Sequence, residues 1–195
     1  QKKTWLSKLA KAETIGCFGL TESEGGSDPA SMKTTVQDKG DYYLLNGSKM
    51  WITNGSIADV AIVWAKSDSG IRGYLVPLKL AGVKVIQMQN KLSLRASVTS
   101  ELIFDEVKLP KSALLPKTDG LKSALQCLNQ ARFGISWGVI GAAEACFTEA
   151  LNFAKNRILF KKSLSSFQLV QRKLALMATQ ITQSQLLVFR LSQLK

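Results

Sequence analysis

The chain has 195 residues, 46% of them hydrophobic, enough to bury a sizeable core, and no apolar run approaches the roughly 18 residues of a membrane span. It contains no histidine, which removes His-assisted serine or cysteine catalysis and the commonest zinc arrangements, and its three cysteines (Cys17, Cys127, Cys146) are too scattered for a disulfide framework or a clustered metal site. The net charge of +12 suits anionic ligands, but the basic residues are dispersed without aromatic interleaving, which argues against nucleic acid.

Residues 1–13 carry Trp5, Leu6 and Leu9 among lysines and read as the end of an amphipathic helix. The first residue is Gln and no charged-then-apolar leader is visible, so the chain reads as an excerpt with further sequence upstream. Residues 14–118 have a different texture, with β-rich runs at Tyr42 to Leu45, Val60 to Ala65, Tyr74 to Val76, Val83 to Gln87 and Leu102 to Phe104. Turn signals fall between them at Asp38 to Asp41, Asn46-Gly47, Ser67 to Gly70 and Ala81-Gly82. This predicts a compact, barrel-like β domain.

Residues 119–195 turn helical. Leu125, Leu128, Ile135, Val139, Ala142, Cys146, Ala150 and Phe153 fit one face of a long helix. Val170, Leu174, Met177, Ile181, Ser184, Val188 and Leu191 recur at alternating steps of four and three in a second, the seam of a packed bundle. Two such helices cannot bury both faces alone, so more helices are expected in the parent protein.

Two segments stand out: Cys17-Phe-Gly-Leu-Thr-Glu-Ser-Glu-Gly-Gly-Ser-Asp-Pro29 and Lys49-Met-Trp-Ile-Thr-Asn54. Phe18 to Thr21 and Trp51 to Thr53 offer flat apolar surface with hydroxyls beside it, as a ring with an apolar end and a polar edge requires. Gly19, Gly25 and Gly26 let the main chain approach a ligand, and Ser27 adds a hydroxyl. Asp28 before Pro29 predicts an N-cap and the first position of a short helical turn. Taken singly, each is an ordinary turn or strand; the conjunction matters.

The segments resemble the acyl-CoA dehydrogenases, and Leu9-Ala-Lys-Ala-Glu-Thr-Ile-Gly-Cys-Phe-Gly-Leu-Thr-Glu22 is most similar to the glutaryl-CoA dehydrogenase branch. Further matches are Asn46-Gly-Ser-Lys-Met-Trp-Ile-Thr-Asn54, Ser93-Leu-Arg-Ala-Ser97, Cys127-Leu-Asn-Gln-Ala-Arg-Phe-Gly-Ile-Ser-Trp-Gly-Val139 and the spaced Arg157, Phe160 and Gln168. The resemblance implies an α+β multidomain fold. On that template residues 1–13 end an N-terminal helical domain, 14–118 form a central β-barrel domain, and 119–195 form the first half of a C-terminal helical bundle. It also implies FAD as cofactor and α,β-dehydrogenation of an acyl-CoA, in this branch glutaryl-CoA with oxidative decarboxylation to crotonyl-CoA. The setting it implies is a homotetramer that passes electrons to electron-transfer flavoprotein, in the mitochondrial matrix or, in a bacterium, the cytoplasm.

Residue by residue, the resemblance places Phe18, Gly19, Leu20 and Thr21 at the flavin's pyrimidine side, and Trp51, Ile52 and Thr53 at its central ring, with the Thr53 hydroxyl facing the nitrogen that receives hydride. Ser27 would meet the coenzyme A ester or the cofactor. Leu125, Leu128, Asn129 and Arg132 would line the substrate, and Arg157, Phe160 and Gln168 would reach the FAD of a neighbouring subunit. Arg132 read by itself is equally suited to a surface ion pair.

Two residues depart from the pattern. Lys161 stands where the family places glycine, and Phe167 stands where the branch carries a polar residue before Gln168. The family's catalytic base is a glutamate in a Tyr-Glu-Gly-Thr-type motif far downstream, and a minority branch places it near Ala131, where no carboxylate is present. No catalytic base is therefore expected among these residues, Glu22 included. Two rival readings follow. One is a truncated, non-catalytic relative that binds FAD or acyl-CoA or pairs with full-length subunits. The other is a nicotinamide enzyme suggested by Gly134, Gly138 and Gly141, which lie inside a helical pattern rather than after a strand and so read as close-packing positions.

Overall fold

A computed structural model describes residues 2–195. The chain divides into two compact units, residues 1–126 and residues 127–195.

The first unit opens with α1 (Lys2–Ala10), followed by seven strands: β1 (Gly16–Gly19), β2 (Thr35–Asp38), β3 (Tyr42–Thr53), β4 (Val60–Ser67), β5 (Gly70–Pro77), β6 (Val83–Gln87) and β7 (Thr99–Pro110). They make one mixed sheet. Antiparallel β5 covers one edge of β4, while the other edge is shared by β1, parallel over Val60 to Val63, and by β2 at Lys66. From β2 the sheet continues through β3 and β7 to β6, all antiparallel. The sheet curls around Val36, Leu45, Val63, Tyr74, Leu102 and Phe104, all buried, because alternate side chains of each strand point to the same face.

The turn residues act where expected with one exception. Gly40 closes the β2–β3 turn at φ 81°, its N–H donating to the Asp38 carboxylate at 2.9 Å. Asp68-Ser69 joins β4 to β5. Asn46-Gly47 is not a turn: it lies within β3, where the register against β7 slips between Leu45 and Gly47. The slip is a bulge, with Gly47 at φ 134° and the Asn46 side-chain carbonyl accepting from the Glu106 N–H at 2.8 Å. A Cβ on Gly47 would sit 2.6 Å from Thr34 Cα, so tertiary packing and not a hairpin selects the glycine.

Helix α2 (Gly120–Asn156) begins in the first unit and runs into the second. A two-residue-per-strand hairpin follows, β8 (Ile158–Leu159) and β9 (Lys162–Ser163), and then α3 (Gln168–Leu194). The end of α3 returns beside the start of the second unit, Lys195 Nζ donating to the Asn129 carbonyl at 3.3 Å and lying 4.5 Å from the Phe133 ring centre. The predicted seam is oriented accordingly: Met177, Ile181 and Ser184 face Val139, Ile140 and Cys146 across a cleft of about 340 Å³. Gly134, Gly138 and Gly141 are helical, which removes the dinucleotide reading, and a Cβ on any of them would meet nothing within 4 Å. Close packing is therefore not their role among the described residues. No helix there is long and apolar enough to cross a membrane.

Candidate functional site

The two segments singled out in the sequence meet in space. The Met50 N–H donates to the Thr21 carbonyl at 2.8 Å, tying β3 to the loop that leaves β1. Beside this bond lies a buried ion pair, Lys49 Nζ to Glu22 Oε1 at 2.8 Å. Both groups make further contacts. Lys49 also donates to the Leu20 carbonyl at 3.1 Å and approaches Met32 sulfur at 3.9 Å, while Glu22 accepts from the Lys33 and Thr34 N–H groups at 2.6 and 3.0 Å.

Electrostatics follow from this geometry. Burial raises the Glu22 pKa, but the Lys33 amide, the Lys49 ammonium and the Thr34 contacts outweigh it and bring the carboxyl down to about 2. Burial pulls the Lys49 pKa below its ordinary value, partly offset by Glu22. Glu22 is thus held as a carboxylate, three of its roughly four acceptor positions taken by Lys49 and two amides, which suits an anchor better than a base.

Around this anchor the predicted residues fall into two groups. Phe18 and Thr53 line one largely apolar cavity of about 340 Å³ with Trp5, Leu9, Ile62 and Leu75. Phe18 pairs in register with Ile62 and tilts its ring 6.2 Å from that of Trp64. Trp51 is 64% exposed and holds φ 62°, at a second register slip between Lys49 and Ile52, so a bulge turns its indole outward. The hydroxyls of Thr21, Ser27 and Thr53 make no hydrogen bond among the described residues, whereas that of Thr34 is committed to the Ser48 carbonyl at 3.0 Å. Three free hydroxyls, an aromatic ring beside an apolar cavity and an outward indole can receive a flat ligand with a polar edge.

Three of the expected residues are closely packed. Leu20 and Ile52 are buried, Ile52 in the core of the sheet, and their carbonyls accept from Lys49 Nζ and the Gly55 N–H. A Cβ on Gly19 would lie 3.3 Å from Lys49 Cγ, so the glycine also gives room to the buried lysine. Asp28 and Pro29 behave as read, the Asp28 carboxylate accepting from the Ala30 N–H at 3.2 Å at the head of a short turn, Pro29–Ser31. Ser27 precedes it, exposed.

On α2, Leu125, Leu128, Asn129 and Arg132 share one helical face by their spacing, with Arg132 Nη1 donating to Asn129 Oδ1 at 3.4 Å. Among the described residues Arg132 has no carboxylate within ion-pair distance. At the hairpin, Phe160 and Lys161 form the two-residue turn at φ 50° and 62°. That geometry belongs to a type I′ turn, which favours Asn-Gly. Phe160 is 86% exposed, and Phe167 stands edge-on to it, ring centres 6.4 Å apart, which gives the unusual phenylalanine before Gln168 a packing role. Arg157 and Gln168 flank the hairpin, both exposed.

Lys49 and Glu22 both lie in the segments that carry the resemblance, but nothing in either segment says that the two residues pair.

Comparison with known proteins sets this site in a family. Residues 17–107 match the acyl-CoA dehydrogenase middle domain and residues 118–195 match the acyl-CoA dehydrogenase C-terminal domain. The chain belongs to the acyl-CoA dehydrogenase family. Among curated relatives, it is 37% identical to the mitochondrial short-chain specific acyl-CoA dehydrogenase of Homo sapiens, over all of this chain and 49% of the relative. It is 39% identical to glutaryl-CoA dehydrogenase of Desulfococcus multivorans, over all of this chain and 51% of the relative. The crystal structure of a glutaryl-CoA dehydrogenase from Mycobacterium smegmatis in complex with FADH2 superposes with a TM-score of 0.96 at 50% identity, over all of this chain and 50% of that one. This acyl-CoA dehydrogenase chain thus spans about half the length of the relatives it matches.

Proposed function

We propose that the chain is the middle and early C-terminal part of an FAD-dependent acyl-CoA dehydrogenase acting on glutaryl-CoA, with oxidative decarboxylation to crotonyl-CoA. The observation that carries the reading is the Met50–Thr21 bond, which joins the backbone of the Thr21 loop to the part of β3 that bears the exposed Trp51 and the Thr53 hydroxyl. The residues present fit an isoalloxazine: apolar surface from Phe18 and Trp51, and hydroxyls at Thr21 and Thr53 for its polar edge. Bound FAD would supply the hydride acceptor. Thr53 would donate its hydroxyl proton to a hydrogen bond where negative charge develops on reduction, and Thr21 would orient the ring's polar edge. Gly19, Leu20 and Ile52 would contribute backbone only.

In the same reading Ser27, Leu125, Leu128, Asn129 and Arg132 hold the thioester, and Arg157, Phe160 and Gln168 reach the cofactor of a second copy in a homotetramer. Residues 1–13, 14–118 and 119–195 would then belong to the three domains of such a subunit, working in the mitochondrial matrix or a bacterial cytoplasm with electron-transfer flavoprotein as acceptor. Support for glutaryl-CoA is the 50% identity to the Mycobacterium smegmatis structure, while the curated relatives lie close together, 39% for the glutaryl-CoA dehydrogenase of Desulfococcus multivorans and 37% for the short-chain enzyme of Homo sapiens. In this reading Glu22 does not remove the α-proton, because its carboxylate is already paired with Lys49 and bonded by two amides, and the base is a glutamate outside these residues.

The test is made on the full-length protein. It should purify with an oxidised-flavin band, release carbon dioxide from glutaryl-CoA, and turn over glutaryl-CoA with a higher kcat/KM than butyryl-CoA; the reverse preference would move it to the short-chain branch. Thr53→Val should slow flavin reduction about ten- to a hundredfold while the thermal midpoint stays put, and an equal loss of both counts against the role. A truncated, non-catalytic relative that binds FAD or acyl-CoA or pairs with full-length subunits is the second reading. An in-frame Tyr-Glu-Gly-Thr-type motif after Lys195 removes it, and a stop codon there supports it.

A further inference from the structure

The buried ion pair has no part in the chemistry just proposed, yet it lies between the two segments that carry it. Lys49 immediately precedes the Met50 N–H that bonds Thr21, and two residues later the chain enters the left-handed conformation at Trp51. Glu22 immediately follows Thr21, and Lys49 binds the Leu20 carbonyl on its other side. The contacts therefore bracket Thr21 from both flanks and fix the strand just ahead of the bulge. A bulky residue at positive φ persists only where its surroundings over-determine it, and here they do. Gly19 completes the device, since a Cβ at that position would press on Lys49 Cγ at 3.3 Å.

Stability alone is a poor reason for such a pair. Two desolvated charges seldom outperform apolar residues of the same volume, although removing just one of them is costly. Resting on the FAD reading above, we infer that the buried Lys49–Glu22 pair is a positioning device, locking the Thr21 loop against the Trp51 bulge so that both sides of the cofactor seat are formed before FAD arrives. Lys49 and Glu22 touch no reacting atom; they act through Thr21, Met50 and Trp51. A seat built in advance spares the ligand the ordering of two segments, and its loss shows in affinity.

The experiment compares full-length wild type with Lys49→Met and with the double variant Lys49→Met/Glu22→Gln. The double variant leaves no charge unpaired, and its glutamine carbonyl can still accept from one of the Lys33 and Thr34 amides, which bond different oxygens of Glu22. Folding is read by circular dichroism and the thermal midpoint; the seat is read by the FAD dissociation constant and the shape of the oxidised-flavin absorption band. The double variant is expected to keep the wild-type dichroism with a moderately lower midpoint, because one amide loses its acceptor, while binding FAD at least about tenfold more weakly with an altered band. Lys49→Met alone should have the lower midpoint of the two, because it strands the Glu22 carboxylate. A double variant with wild-type affinity and band overturns the inference. So does one that loses its β-sheet dichroism, which would assign the pair to the domain as a whole, and so does a single variant more stable than the double. Wild-type protein that folds but takes up no FAD overturns the functional reading beneath it.

Discussion

Glu22 shows how a single residue can be chemically silent and still decide local structure. Its carboxyl is held at about 2 in the fold against an ordinary 4.5. A folded-state pKa below the unfolded one means that its contribution to stability is complete above the unfolded value and drains away as pH falls toward the folded one. The difference in urea midpoint between wild type and Glu22→Gln should therefore be largest above about pH 5 and shrink steadily toward about pH 2. A difference that stays constant over that window would mean that the carboxylate is not held by Lys49 and the amides. Gly47 is the other residue whose role is set by its surroundings. Its φ of 134° and a Cβ position 2.6 Å from Thr34 predict that Gly47→Ala lowers stability, measured by denaturant unfolding, by about 1–3 kcal/mol. In the sequence this same glycine, after asparagine, reads as a hairpin turn, since dipeptide chemistry carries no information about what packs against the Cα.

At the scale of elements, β3 and the β8–β9 hairpin repay comparison. The sequence shows β3 as two short runs separated by a turn signal, whereas the strand is continuous from Tyr42 to Thr53 with two slips in its register against β7. Each slip shifts the parity of inward and outward side chains, which is how Lys49 and Ile52 are both buried while Trp51 and Thr53 face out. Period-two reasoning cannot place a bulge, so the exposure of Trp51 was legible only by family resemblance. In the hairpin, by contrast, the departure visible in sequence is strained in the structure: Lys161 holds φ 62° in a turn that favours glycine. Lys161→Gly should raise the thermal stability of the second unit by about 0.5–1 kcal/mol, and no gain would show that the turn is not left-handed there. The long helices were legible nearly to their ends, because an apolar stripe over more than twenty residues leaves one reading.

For the molecule as a whole, the helical unit leaves much apolar surface uncovered. Ile135 and Phe153 on α2 and Leu169, Leu187 and Leu194 on α3 are each more than half exposed, while only Ile140, Ala154 and Val188 are buried in this unit. Surface of this kind drives association. The 195-residue chain expressed by itself should bind a hydrophobic dye and sediment as concentration-dependent oligomers; a monodisperse, dye-silent monomer would contradict the exposure described. The +12 charge acts on a longer range. Under the proposed reading, the on-rate of this chain for the anionic FAD should fall as added salt shortens the Debye length to about 8–10 Å at 0.10–0.15 M.

By itself, the sequence determined the family, the order of a β-rich region followed by long helices, and the two segments that carry the candidate site, because motif order, strand and helix periodicity and turn residues are local properties of the chain. Only the tertiary structure decided that those segments are joined at Met50 and Thr21, that Gly19 lies against a buried lysine, and that Leu20 and Ile52 are buried. The physical reason is that burial and hydrogen-bond satisfaction are settled between residues distant in the chain: Lys49 can lose its water only where Glu22, 27 positions away, and the Leu20 carbonyl replace it.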